Sequence, residues 1–309
     1  MLHDSLHQLA AEAPQCVSTA MARGILADAH DLLQQAAHHD GDAKELGAWF
    51  STIVIQVLNS PALKEDASPE AQFYPSGAFG RLEGLVDSRV RLLTWGTDSD
   101  QDKAAELLRS AGLTVRTPLP ARSADQWQLE ASDAVARRDA EVLGLINDAG
   151  TWGNFAINVA ARAECGDSGL KVVADVLRAD ALSHRPPALS VKSGLPDKDV
   201  VFDIREHLVV PAARLARWAG FAAGVRSTHT PTRLAVAAAR GVLTEAEATS
   251  LNQAWAAGMR TYLFLWSTRT GVKPQRFSNL PLIQRSLLGA SCRELADVAR
   301  SVAARHHDA

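Results

Sequence analysis

The stretch that decides the fold is GAFGRLEGLVDSRVRLL, Gly77–Leu93. Two glycines three residues apart, Gly77 and Gly80, precede an apolar-rich run, Val90–Trp95, that is typical of a buried strand. A shorter strand candidate, Gln72–Tyr74, ends just before the glycines. Because glycine permits tight turns, the stretch predicts a strand, a turn that leads into a helix, and a second strand.

The chain after this stretch extends the same pattern. Gly96-Thr97-Asp98 is a turn signal, Lys103–Ser110 is a helix candidate closed by Gly112, and Leu113–Val115 is a third strand candidate. This order of elements predicts the α+β class, with a small mixed sheet of roughly three to five strands.

The flanking regions are predicted to be helical. From Ala43 the apolar residues recur on one helix face until Asn59-Ser60-Pro61 stops the helix. Beyond Ser123 helical patterns dominate, interrupted by the breaker-rich loop 184–197 and including a capping box at Thr244–Glu247. We therefore divide the chain into an N-terminal helical segment (1–63), an α/β core (64–122) and a C-terminal helical bundle (123–309).

Composition indicates an ordinary globular protein of 309 residues, 47% hydrophobic and 22% charged. A net charge of −3 argues against nucleic acid or a membrane surface as a partner bound by bulk electrostatics. The N-terminal residues lack a signal-peptide pattern, and the three cysteines have no metal-site or redox spacing. These features predict a cytoplasmic protein without a histidine or cysteine metal site.

The glycine stretch resembles the nucleotide-binding turn of polymerase-β-type nucleotidyltransferases, and specifically the bacterial family related to protein-PII uridylyltransferases. That family has Gly-Ser-x-Gly-Arg-x-Glu, four further residues, and Ser/Thr-Asp-x-Asp. The matching residues are Gly77, Gly80, Arg81, Glu83 and Ser88. The departures are Ala78 in place of the serine, and Arg89 and Arg91 in place of the two metal-binding aspartates.

The resemblance continues into the C-terminal half and covers the chain from about Ala43 onward. The family's helical domain has an Asp-Leu-Lys-like start, an arginine-bearing helix, a Thr-x-x-Arg-Leu turn, an Ala-Gly-Leu-Leu stretch and an entry to the last helix. The corresponding segments are Phe202–Arg205, Pro211–Arg217, Thr230–Leu234, Arg240–Leu243 and Asn279–Leu282.

The resemblance implies a nucleotidyl-transfer site whose metal chemistry is missing. Magnesium takes oxygen ligands, usually one or two carboxylates with phosphate and water. Arginine at both positions repels a cation but can bind phosphate through two parallel hydrogen bonds. The predicted nucleotide- or phosphate-binding residues are Gly77, Gly80, Arg81, Glu83, Ser88, Arg89 and Arg91, with no metal ligand and no assigned catalytic residue. Any ligand is expected to be an anion bound without a divalent metal, unless Glu83 pairs with one of the arginines and weakens the site.

Three functional hypotheses remain open at this stage. The first is a regulatory pseudoenzyme in signal transduction that binds a nucleotide, another phosphate compound or a regulatory protein. The second is an active transferase that uses Mg²⁺ and carboxylates from elsewhere, either Asp87 or the Asp98–Asp102 cluster. The third is an interaction protein with a filled cleft, in which Arg89 and Arg91 are solvated charges at a strand end. The Asp98–Asp102 cluster is more simply the start of a helix.

Overall fold

The computed structural model describes residues 2–39, 41–65, 67–85, 87–186, 189, 191–192, 195–268 and 274–306. The chain forms two compact units, Met1–Leu170 and Lys171–Ala309. The first unit contains the small mixed sheet and the second is mainly helical, which confirms the predicted α+β class.

Helices build the N-terminal part of the first unit, as predicted. They are α1 (Asp4–Glu12), α2 (Thr19–His38), α3 (Ala43–Leu58) and the short α4 (Pro61–Lys64). Side-chain caps begin three of them. His3 accepts from the Ser5 amide, Ser18 from the Met21 amide and Asp42 from the Lys44 amide.

Helix α3 is the core helix of this unit. Most of its apolar residues are buried, including Trp49, Phe50 and Ile53. Trp49 Nε1 donates to the Leu6 carbonyl oxygen at 2.8 Å, which fixes α1 against α3. By length and composition alone, Ala43–Lys64 could cross a membrane, and 61% of its most apolar window is buried inside the protein. We therefore interpret its apolar character as that of a core helix.

The sheet has three strands in the order β1 (Gln72–Ser76), β2 (Val90–Trp95) and β3 (Val115–Arg116). β1 and β2 are antiparallel, whereas β2 and β3 are parallel and connected through α5 (Asp98–Ser110). β1 continues through Pro75 because an edge strand has a side that needs no N–H donor. α5 begins five residues before the predicted Lys103, because Thr97 and Asp100 form a capping box.

Three more helices complete the first unit: α6 (Ala124–Arg137), α7 (Ala140–Asn147) and α8 (Thr151–Cys165). The sequence analysis placed them in the C-terminal bundle, whereas their contacts place them with the sheet. Trp127 of α6 is fully buried and donates from Nε1 to the Thr94 carbonyl oxygen of β2 at 2.9 Å. Ser76 Oγ donates to the Leu145 carbonyl oxygen of α7 at 2.6 Å, which brings α7 to the end of β1.

In the part of the second unit that the structure describes, five α-helices pack with two pairs of short strands. The helices are α9 (Gly169–Ser183), α10 (Val210–Ala222), α11 (Thr230–Ala239), α12 (Glu245–Ser267) and α13 (Leu282–Arg305). The strands are β4 (Val191–Lys192) with β5 (Leu195–Pro196), and β6 (Val201–Phe202) with β7 (Gln275–Arg276). Several residues of the predicted breaker loop 184–197 lie outside the described residues.

The predicted capping box at the start of α12 is confirmed, and it also ties α12 to α13. Thr244 Oγ1 accepts from the Glu247 amide, and the Glu247 carboxylate accepts from the Thr244 amide. Arg305 of α13 donates to both oxygens of that carboxylate, at 2.6 and 2.9 Å. Burial would raise the pKa of Glu247, but the hydrogen bonds from Arg305 and Thr244 lower it from 4.5 to about 2.

We expect this contact to make the second unit acid-sensitive. A carboxylate whose folded-state pKa is depressed contributes stability above its unfolded pKa and loses it as the pH falls through the folded value. The lost stability should therefore appear between pH 4.5 and about 2. Thermal melts across this range should show a steeper fall for the wild type than for Glu247→Gln. Glu245→Gln, an exposed change in the same helical turn, should follow the wild type.

Candidate functional site

The glycine turn predicted from the sequence lies between β1 and β2. Gly77 has a φ of +67°, a conformation that favours glycine. The Arg81 amide donates to the Gly77 carbonyl oxygen at 2.9 Å, and the Glu83 amide donates to that of Ala78 at 2.8 Å. All residues of the segment 77–89 except Val86 are described, and none of these lies in an α-helix. The prediction of a helix behind the turn is therefore wrong, because the turn closes through its own hydrogen bonds and a second turn, from Leu85 to Ser88, follows it.

The turn rests on the core helix α3. Phe79 is fully buried, and its ring centroid lies 5.9 Å from that of Phe50. The Gly84 amide donates to Ser51 Oγ at 2.8 Å. Together these contacts hold the turn segment against α3.

The second glycine brings the turn against the end of α7. A Cβ atom added at Gly80 would lie 1.9 Å from the carbonyl oxygen of Asp148 and 2.6 Å from that of Pro75. No side chain fits between these backbones, so glycine at this position serves close packing. The same approach places the Asp148 side chain beside the turn.

The Arg81 side chain forms a buried ion-pair triad with two carboxylates. Its Nε lies 3.0 Å from Glu83 Oε2 and its Nη1 lies 2.5 Å from Asp148 Oδ2. The three side chains are at most 7% exposed. Burial would by itself lower the pKa of Arg81, but the charges and hydrogen bonds of Glu83 and Asp148 outweigh it and hold that pKa above its ordinary value.

This triad gives Arg81 and Glu83 a structural role. The guanidinium and both carboxylates point into the protein, where they bind one another. The sequence analysis foresaw that Glu83 could pair with an arginine but did not find Asp148, which follows Glu83 by 65 positions and comes close only through the fold. The phosphate-binding roles assigned to Arg81 and Glu83 remain predictions.

The remaining predicted residues lie where the turn leads into β2. Ser88 is buried and its Oγ accepts from the Leu85 amide at 3.0 Å. Arg89 is exposed and precedes the strand, whereas Arg91 is half-buried within it. A Cβ atom added at Gly77 would lie 3.6 Å from Arg91 Cδ, so the stem of Arg91 passes over the glycine.

The acidic residues considered as replacement ligands occupy other positions. Asp100 is the capping-box residue of α5, and its carboxylate accepts from Thr97 and Ser68. Burial would raise its pKa, but these hydrogen bonds lower it to about 2. Asp98 accepts from the Ala121 amide at 3.0 Å, and Asp87 is exposed. The Asp98–Asp102 cluster is therefore a helix start, as the simpler interpretation predicted.

The turn does not fit the magnesium ion that the family resemblance implies. Glu83 and Asp148 are the carboxylates beside the turn, and both bind the Arg81 guanidinium. Arg91 adds another positive charge next to Gly77. Within the described ranges, no group of three or more histidine, cysteine, aspartate or glutamate residues is placed to hold a metal ion.

A cavity of about 460 Å³ lies beside β2 and β3, and the sequence analysis missed it. Its lining includes Arg91, Arg109, Arg116 and Glu141. Of these residues only Arg91 was among the predicted site residues. The pairing of β2 with β3 places Arg91 and Arg116 at partner positions, and that register could not be inferred from the sequence pattern alone.

The second unit matches a known protein family. Residues 171–306 match the family described as "Putative nucleotidyltransferase substrate binding domain". The match spans nearly all of the unit Lys171–Ala309, so the likeness to a nucleotidyltransferase domain is a property of this unit. No curated protein matches the chain significantly.

Proposed function

We propose, starting from a second unit that matches a nucleotidyltransferase substrate-binding domain, that this protein is a phosphate- or nucleotide-binding regulatory relative of the protein-PII uridylyltransferases that does not catalyse metal-dependent transfer. The observation that carries the proposal is the buried triad, in which Arg81 binds the two carboxylates next to the glycine turn. The turn keeps both glycines of the resembling motif, whereas the two acidic groups beside it bind Arg81.

A metal ion at the turn would have to take a carboxylate away from Arg81. Nucleotidyl transfer depends on Mg²⁺ held by carboxylates, because the ion stabilises the charge that develops on the phosphates. Moving Glu83 or Asp148 to a metal would leave Arg81 buried with fewer partners. Breaking a buried ion pair in this way costs about 3–5 kcal/mol. Arg91 would add repulsion for the ion.

The rival hypothesis of an active enzyme required carboxylates that converge near Gly77. Two carboxylates do lie there, but they converge on a guanidinium and are at most 1% exposed. Their arrangement favours the binding protein over the enzyme. The same proposal includes a regulatory protein partner, which the second unit would bind.

We expect the purified protein to transfer no nucleotidyl group in the presence of Mg²⁺ or Mn²⁺. The test incubates the full chain with labelled nucleoside triphosphates and with a PII-type protein as acceptor, and measures label on protein and on small acceptors. Transfer that is proportional to protein concentration, is lost in Gly77→Val and is kept in the surface control Phe155→Ala would contradict the proposal. A second readout is thermal stability, since a ligand that binds only the folded state raises the melting temperature.

A further inference from the structure

The cavity beside β2 and β3 collects positive charge from three separate elements. Arg91 comes from β2, Arg116 from β3 and Arg109 from the last turn of α5. Val115, Thr117 and Pro118 form the rest of the wall together with Glu141. Three guanidinium groups thus share a cavity with one carboxylate.

The strand register brings two of these positive charges onto neighbouring strands. Arg91 and Arg116 are partners in the parallel pairing of β2 with β3, so their side chains leave the same face of adjacent strands. Neighbouring strands lie about 4.8 Å apart, and like charges at partner positions destabilise a sheet. Arg109 adds a third positive charge at the rim. Glu141 lies in the first turn of α7, where the helix dipole already favours a negative charge.

We propose that this cavity binds the phosphate group of a small phosphate monoester or nucleotide, with Arg91, Arg109 and Arg116 as its ligands. Arginine suits this task because its planar fork donates two hydrogen bonds to one phosphate. The volume of about 460 Å³ lies within the range of small-molecule sites. This proposal rests on the proposed function and extends it. The link between the two is Arg91, which lines the cavity and also lies over Gly77 of the glycine turn.

The wall of the cavity predicts its selectivity. The described residues that line it include no aromatic ring on which a base could stack. Recognition should therefore depend on the phosphate, with ATP and UTP binding equally well and inorganic phosphate competing with both. Magnesium should weaken binding because it neutralises the triphosphate that the arginines recognise.

The experiment measures binding of ATP, UTP and inorganic phosphate to the full chain by calorimetry, with and without Mg²⁺. The variants are Arg109→Gln and Arg116→Gln, each of which removes one exposed charge. Loss of a charged hydrogen-bond donor is expected to raise the Kd about tenfold or more. Lys103→Gln removes the same charge from α5 outside the cavity lining and should bind like the wild type. Without ligand, Arg116→Gln should melt at the wild-type temperature or slightly above it, because a like-charge contact is removed.

Each outcome separates the two proposals. Metal-free binding that is weakened in both cavity variants and unchanged in Lys103→Gln supports the cavity. Binding that survives both cavity variants but is lost in Arg89→Gln overturns the cavity and leaves the proposed function in place. A wild type that binds none of the three probes, or binds only with Mg²⁺, overturns both.

Discussion

Removal of residues 1–60 is expected to leave the first unit unfolded, because it deletes the helix on which the sheet and the glycine turn are built. Within α3, Trp49, Phe50, Ile53, Val54 and Val57 are at most 5% exposed. Burial of each such side chain contributes about 1.5–3 kcal/mol. Their sum is comparable to the whole stability of a domain, about 5–15 kcal/mol.

The truncation also removes polar contacts to the sheet. Ser51 accepts the Gly84 amide, and Asn59 Nδ2 donates to the Phe73 carbonyl oxygen at 3.2 Å. Circular dichroism and size-exclusion chromatography of residues 61–309 measure the outcome. A soluble truncated chain with a cooperative melt for the first unit would show that α3 is dispensable.

A matched pair of point variants tests the same idea in the intact chain. Phe50 is 1% exposed and Phe155 is 68% exposed, and both lie in helices of the first unit. Phe50→Ala should lower the free energy of unfolding by about 3–5 kcal/mol. Phe155→Ala should change it by no more than about 0.5 kcal/mol. Equal effects of the two variants would contradict the assignment of α3 to the core.

Arg81→Ala should be among the most destabilising single substitutions in this protein. It leaves Glu83 and Asp148 buried without their common cation, at an expected cost of about 3–5 kcal/mol. Chemical denaturation followed by tryptophan fluorescence measures this cost. Lys44→Ala, which removes an exposed pair with Asp42, is the control and should cost at most about 1 kcal/mol.

A triple variant separates loss of charge pairing from loss of packing. Arg81→Met with Glu83→Gln and Asp148→Asn removes all three charges while keeping similar volumes. Because no unpaired charge remains buried, this variant should be more stable than Arg81→Ala. If the single variant melts like the wild type, or the triple variant is the least stable of the set, the triad does not stabilise the turn as described.

The sequence was sufficient for elements that depend on local rules. Hydrophobic periodicity predicted α3, and the apolar run from Val90 predicted β2 with its observed bounds. Capping chemistry predicted the start of α12, where Thr244 and Glu247 bond as expected.

The candidate site needed information that is not local. The triad depends on Asp148 reaching the turn from the end of α7, and the cavity depends on the register of β2 with β3. Neither depends on spacing within one segment. The helix expected after the glycines is absent for a related reason, since Phe79 and Gly84 both contact α3, which is distant in the sequence.

The buried triad offers a structural reason for the residues of the glycine motif to persist during evolution. In this protein Gly80 is required for the close approach of two backbones, and Arg81 and Glu83 are required to satisfy each other. Natural selection for a folded chain is then enough to preserve these three residues, even in a protein that does not transfer nucleotidyl groups. Arg89 and Arg91 are not members of the triad, so the triad does not determine which residues stand at those two positions. A motif can therefore persist in a lineage as architecture, and a search that scores it will count such proteins among the enzymes.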